Sequence, residues 1–167
     1  FNRSIKARQV LKIQINFTNP NIQSCSGLLL HILEFNQRLL PLKKYNVKIS
    51  NYLQDQIKGP DISNDISKSI DAIKSKLERG ESIKEHYSKK LFNAFAKKEK
   101  FVDIFLQYLS IRHLHFTKED RKNEILVYCK NGNDILIMGI FNHDLFTKGE
   151  GLSDIISILK SDFPEFI

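Results

Sequence analysis

The sequence predicts an α+β domain, a small and mainly antiparallel sheet with several helices packed on it. Three observations carry that prediction. Residues 125–129 and 135–141 are dense apolar runs joined by Lys130-Asn131-Gly132-Asn133-Asp134. Asn-Gly between two β-rich runs signals a tight hairpin, because both turn positions of the favoured loop want positive φ. Ile62, Ile66, Ile70, Ile73 and Leu77 recur at helical spacing and define an amphipathic helix. Near residue 111 the apolar period changes from helical to extended, which places most of the sheet late in the chain.

Taken in order, residues 9–17 alternate polar and apolar, with Leu11, Ile13, Ile15 and Phe17 on one face of a half-buried strand. Thr18-Asn19-Pro20-Asn21 ends it. Ser24 or Ser26 can cap a helix that runs to about Leu40 and stops at Pro41. Residues 43–49 predict a short second strand. Residues 51–110 read as helical, broken at Lys58-Gly59-Pro60, and the 62–77 helix closes at Gly80. A further helix is expected over 81–95 along Ile83, Tyr87, Leu91 and Phe95. Another is expected over 97–110, with Phe101, Ile104, Phe105 and Tyr108 inward.

Residues 112–116 predict a short strand, followed by a polar loop over 117–123 and then the hairpin. The near-continuous apolar character of the hairpin strands implies that both of their faces are covered. Residues 151–160 form a last helix, with Leu152, Ile155, Ile156 and Leu159 inward, and Pro164 ends the fold. One domain is expected over residues 1–167, with its helical scaffold at 21–110, its hairpin core at 111–146 and its terminal helix at 151–161.

A chain of 167 residues can bury an adequate core without disulfide or metal staples. Cys25 and Cys129 lie far apart and read as buried free thiols in a reducing compartment. No signal-peptide pattern appears, and no apolar run approaches the roughly 18 residues of a membrane span, so a cytoplasmic protein without a membrane partner is expected. The net charge of +7 favours a polyanionic partner. Arg3, Lys6, Arg8 and Lys12 stand without an acid in residues 1–20. Lys84, Lys89, Lys90, Lys97, Lys98 and Lys100 face only Glu85 and Glu99 in residues 84–100, whereas the last 25 residues are acidic.

The chemistry concentrates in residues 111–146, which hold His113, His115 and His143. Side chains two apart on a strand share a face, so His113 and His115 stand together while Arg112, Leu114 and Phe116 turn away. His143 leaves the second hairpin strand between Asn142 and Asp144, where an imidazole is exposed and oriented by its neighbours. Such imidazoles suit proton transfer near neutral pH. A His-x-His strand also holds transition metals, with His143 as a third ligand. The plain structural alternative has one histidine satisfied in a polar network and another in solvent. No P-loop, Gly-x-Gly-x-x-Gly, Gly-x-Ser-x-Gly or paired Cys-x-x-Cys is present, which argues against a nucleoside-triphosphate enzyme, a serine hydrolase and a structural zinc site.

His115, Ile125-Leu126-Val127-Tyr128, the turn, Ile135-Leu136-Ile137-Met138-Gly139 and then His143-Asp144-Leu145-Phe146 resemble the C-terminal part of the RelE/YafQ group of bacterial messenger-RNA-cleaving toxins. The resemblance implies that His143 is a catalytic imidazole, His115 the upstream histidine, and Phe146 a side chain shaping the site. It implies a metal-independent endoribonuclease without a cofactor, in which a ribose 2′-hydroxyl attacks the adjacent phosphate. The implied partners are RNA, including ribosome-associated messenger RNA, and an antitoxin protein, in a toxin–antitoxin or phage-defence setting.

On that reading His113 is an auxiliary, and Arg121 and Arg112 are candidates to steady phosphate charge, Arg112 the weaker because alternation turns it away. Lys89, Lys90, Lys97 and Lys98 would track the RNA backbone. The sequence departs from the family pattern in three ways. Its last segment is one residue shorter, Asn123-Glu124 replaces an Asp-Trp pair, and the helices of residues 51–110 and the terminal helix have no counterpart. A binding module that keeps the sheet without catalysis is the alternative. A metal-dependent hydrolase using the three histidines comes last, since only Asp144 or Glu124 offers a carboxylate ligand.

Overall fold

The computed structural model describes residues 39–88, 110–116 and 123–166. The strand expected at 9–17, nearly all of the helix expected at 24–40 and the helix expected at 97–110 fall outside these residues. So do Cys25, Arg121, Lys89, Lys90, Lys97 and Lys98.

The hairpin forms as expected. Strand β3 (Glu124–Asn131) pairs antiparallel with β4 (Asp134–Asn142). The loop residues are Gly132 and Asn133 rather than Asn131 and Gly132, because Asn131 and Asp134 are the last paired residues. Gly132 takes φ +58°, and among the described residues Ser110 is the only non-glycine with positive φ. Glycine at the first of two loop positions, with only that one positive φ, matches a type II′ turn rather than the expected type I′.

Strand β1 (Asn46–Ile49) runs parallel to the start of β4, and β2 (Ile111–His115) runs antiparallel to β3. The order β1-β4-β3-β2 leaves β3 and β4 in the middle, and this is the α+β architecture with a mainly antiparallel sheet. Both middle strands are buried over nearly their full length, as their unbroken apolar runs require.

Helices cover both faces. On one side α2 (Asn64–Arg79) lays Ile66, Ile70, Ile73 and Leu77 against Leu114, Leu126, Tyr128, Ile135 and Ile137. Gly80 closes α2 at φ +76°, and a Cβ there would come within 2.9 Å of the Lys43 backbone, so the position needs glycine twice over. On the other side α4 (Leu152–Asp162) brings Ile155, Ile158 and Leu159 against Ile111, Ile125, Val127, Leu136 and Met138. The short α3 (Asp144–Lys148) connects β4 to α4.

No α-helix begins at residue 81. The described part of that segment, 81–88, holds only a 3-10 turn at Lys84–His86. The Glu81 N–H is already committed to the Lys76 carbonyl closing α2, and the Lys84 N–H turns back to Ser82 Oγ at 3.2 Å. Ser82 thus closes a local turn of its own at this point. Tyr87 then anchors the segment by accepting the Leu40 N–H at 2.8 Å. Cys129 is free and buried, as expected, and burial pushes its thiol up to about 12.

The β3–β4 register shifts between Val127 and Tyr128: Val127 pairs with Gly139 and Tyr128 with Ile137, leaving Met138 as an extra residue. Ile135 and Ile137 face α2 and Leu136 faces α4, but after the bulge Ile140 faces α2 and Phe141 faces α4. Met138 and Gly139 both lie on the α4 side, so facing along the strand slips by one residue.

The bulged edge of β4 is finished by side chains of helix α1 (Asn51–Lys58) and its cap. Ser50 Oγ donates to the Met138 carbonyl and accepts the Leu53 N–H at 2.9 Å. Gln56 holds both backbone groups of Ile140, at 2.8 and 2.9 Å. A Cβ on Gly139 would lie 2.8 Å from the Phe141 ring and 3.0 Å from Tyr52, two rings that stack at 5.8 Å. Gly139→Ala therefore lowers stability by about 1–3 kcal/mol through overpacking, read as an earlier urea midpoint with an unchanged slope.

Candidate functional site

The candidate site is built from β2 and the end of β4. Ile111 packs into the α4-side core and Leu114 into the α2-side core, so His113 and His115 share the α4-side face of β2. His143 follows β4, and its N–H donates to the Asn123 carbonyl at 2.9 Å, extending the ladder by one residue. Through the bulge, residue 143 has the parity of Phe141 and reaches the same face as the other two histidines.

The three imidazoles converge. Ring centroids are 5.1 Å apart for His113 and His115, 5.0 Å for His115 and His143, and 5.5 Å for His113 and His143. One nitrogen from each ring lies within 4.8 Å of the others, and all three side chains are half-buried. The structure thus brings together the three histidines that the sequence singled out.

His115 is the most constrained of the three. Burial in the cluster, and secondarily the nearby His143, lower its pKa to about 4, so the ring is neutral at physiological pH. Its Nε2 is fully buried and has no hydrogen-bond partner. An unmet ring nitrogen of this kind costs about 1–3 kcal/mol, a cost usually tolerated where the group has work to do.

The backbone beneath His115 is pinned by a residue that the sequence reading passed over. His86 is buried, and its Nδ1 lies 3.0 Å from the His115 carbonyl. A carbonyl can only accept, so Nδ1 carries the proton and donates. The helical stripe read through Ile83, Tyr87 and Leu91 hid this residue. The available signal was Ile83 and His86 three apart, the spacing of one 3-10 turn.

The remaining candidates do not join the cluster. Arg112 lies on the α2 side, near Tyr45 and Tyr128, whose phenols burial pushes up against the opposing pull of its charge. It is also near Lys130, which burial and then Arg112 push down, and its Nη1 donates to the Ser110 carbonyl at 3.2 Å. The sheet separates it from the histidines. Asp144 opens α3 and pairs with Lys148 at 3.0 Å. Neither it nor Glu124 belongs to the described group of converging ligand atoms. The side chain of Phe146 lies outside the described part.

Comparison with known proteins adds no family: no family model, curated protein or solved structure matches this chain.

Two predictions follow from the described geometry. Above the ordinary histidine value of 6.5, folded and unfolded chains both carry His115 neutral. Between 6.5 and about 4 only the unfolded chain takes up the proton, so stability falls as pH drops through that window. His115→Asn removes this component, and urea midpoints measured from pH 7 to 4 decline less steeply in the variant than in the parent. His86→Phe fills the same space without the donor. It lowers stability by about 1–3 kcal/mol, and amide exchange accelerates first at β2.

Proposed function

We propose that the chain is an RNA-cleaving enzyme whose reactive centre is the trio His113, His115 and His143. The convergence of the three imidazoles at the end of the sheet carries this reading. The net charge of +7 and the likeness of residues 115–146 to the RelE/YafQ pattern support it.

The chemistry is transphosphorylation. A base takes the proton of a ribose 2′-hydroxyl, the oxygen attacks the adjacent phosphorus, and an acid protonates the departing 5′-oxygen. The products are a 2′,3′-cyclic phosphate and a free 5′-hydroxyl. His115, kept neutral by burial, is the base. His143, at the exit of β4, is the acid, and His113 completes the pocket between them. The partner is RNA, with messenger RNA and a cognate antitoxin protein as the extension that the resemblance supplies.

The test is cleavage of a labelled structured RNA by the full chain in EDTA. Cleavage is expected, and His143→Ala or His115→Ala is expected to slow it about 10²–10⁴-fold, the usual contribution of a positioned acid or base. A 2′-deoxy substitution at the cut position abolishes the product. RNA that binds but is never cut by the parent chain overturns the enzymatic reading and leaves a binding module.

A further inference from the structure

We propose that His113, His115 and His143 also form a binding site for one first-row transition ion, with Zn2+ the best match. We further propose that the bound ion and acid–base catalysis exclude each other. The second half rests on the ribonuclease reading; the first does not.

The donor set is already assembled. Each histidine offers one nitrogen, and these lie within 4.8 Å of one another. A tetrahedral ion with Zn–N bonds of about 2.0–2.1 Å places its nitrogens about 3.3 Å apart. All three rings are half-buried rather than locked in the core, and closing the difference is a movement of about an ångström per ring. Two donors sit on one face of a single strand, paired residue by residue with β3. The third stands just past β4, where the turn into α3 begins and the His143 N–H is held by the Asn123 carbonyl. The site therefore spans three adjacent strands whose separation is fixed by backbone hydrogen bonds. Such a scaffold holds ligands more firmly than a loop does.

A second, independent observation points to a ligand. His115 Nε2 is buried without a hydrogen-bond partner, so a nitrogen of one of the three converging rings is desolvated before anything binds. The sequence raised a metal on these three histidines only as the last-ranked reading; the grouping of the nitrogens and this unmet atom are what move it forward.

The chemistry of the donors selects the ion. Three imidazoles and no described carboxylate or thiolate suit zinc, copper or nickel. Magnesium and calcium need oxygen ligands that this group lacks. Three histidines leave one tetrahedral position for water or an anion, the arrangement of open rather than closed zinc sites. An imidazole that donates its lone pair to an ion cannot take a proton from a 2′-hydroxyl with the same pair. An occupied site thus has no base, and the ion acts as a switch on the centre.

The experiment is a calorimetric titration of the full chain with Zn2+, paired with the visible spectrum on adding Co2+. Binding of one ion per chain is expected, with the intense absorption of tetrahedral Co2+. His115→Ala and His143→Gln are each expected to weaken binding more than about 100-fold, beyond the range seen when only an outer partner is lost. Asp55→Asn, an exposed side chain of α1, is expected to leave binding intact. Circular dichroism checks that each variant is folded, and His143→Gln, at the exit of the sheet, is the gentler of the two.

No binding from micromolar to millimolar Zn2+, or binding that survives both cluster variants, overturns the site. On the RNA assay, Zn2+ is expected to suppress the cleavage seen in EDTA. Zn2+ that accelerates cleavage overturns mutual exclusion and makes the ion a cofactor. Metal binding without cleavage under any condition keeps the site and removes the ribonuclease. Cleavage in EDTA without metal binding does the reverse.

Discussion

The pairing of β3 with β4 governs the rest of the described structure. Both strands are buried on both faces, so every backbone N–H and C=O along them needs a partner from within the protein. β3 is satisfied by β2 and β4. β4 has β1 for only four residues, ending at Ile137. Beyond that point Ser50 and Gln56 take over, supplying side-chain bonds to Met138 and Ile140 where a strand would otherwise be required. The helix α1 is therefore tied to the sheet by polar contacts as well as by Leu53, and its N-cap serine serves helix and strand at once.

The histidine cluster inherits its rigidity from that arrangement. Two rings ride on β2, locked in register with β3, and the third follows β4 by one further hydrogen bond to Asn123. His86 clamps the His115 carbonyl, so the buried imidazole of His115 also has a fixed backbone. Positively charged Arg112, although next to His113 in sequence, acts on the tyrosines and Lys130 of the opposite layer. A single strand thus serves two electrostatic environments, one cationic with phenols and one of clustered imidazoles, with the thickness of the sheet between them.

Much of this was legible in the sequence, for physical reasons that can be named. The apolar runs of β3 and β4 and the Ile66–Ile70–Ile73–Leu77 stripe are strong periodic signals, and both elements form where expected. Strand alternation alone put His113 and His115 on one face and Arg112 on the other. The turn was misread by one residue because Asn-Gly and Gly-Asn both occur in Asn131-Gly132-Asn133, and only the strand register decides between the loops they favour. Over residues 81–88, the described part of the helix expected at 81–95, a 3-10 turn stands instead. A stripe through Ile83 and Tyr87 does not register that the Glu81 N–H is already spent on closing α2. Gln56 carries no pattern, and His86 only its spacing of three from Ile83. Their importance arises from which buried carbonyl happens to lie beside them, and that is a tertiary fact.

The extra residue in β4 has a consequence for how the chain tolerates changes in length. Ile135 and Ile137 face α2, so on an unbulged strand every later odd-numbered residue, His143 included, would do the same. The insertion at Met138–Gly139 reverses that assignment for everything downstream, sending Phe141 and with it His143 to the α4 layer. Removing the extra residue itself would take out the bulge and shift the chain by one at once, two changes that cancel and leave the third imidazole on its side. Removing one of residues 140–142 with the bulge kept would instead carry it through the sheet. Whether the trio exists is thus decided by a reading frame in the strand, independently of which side chains the three positions carry.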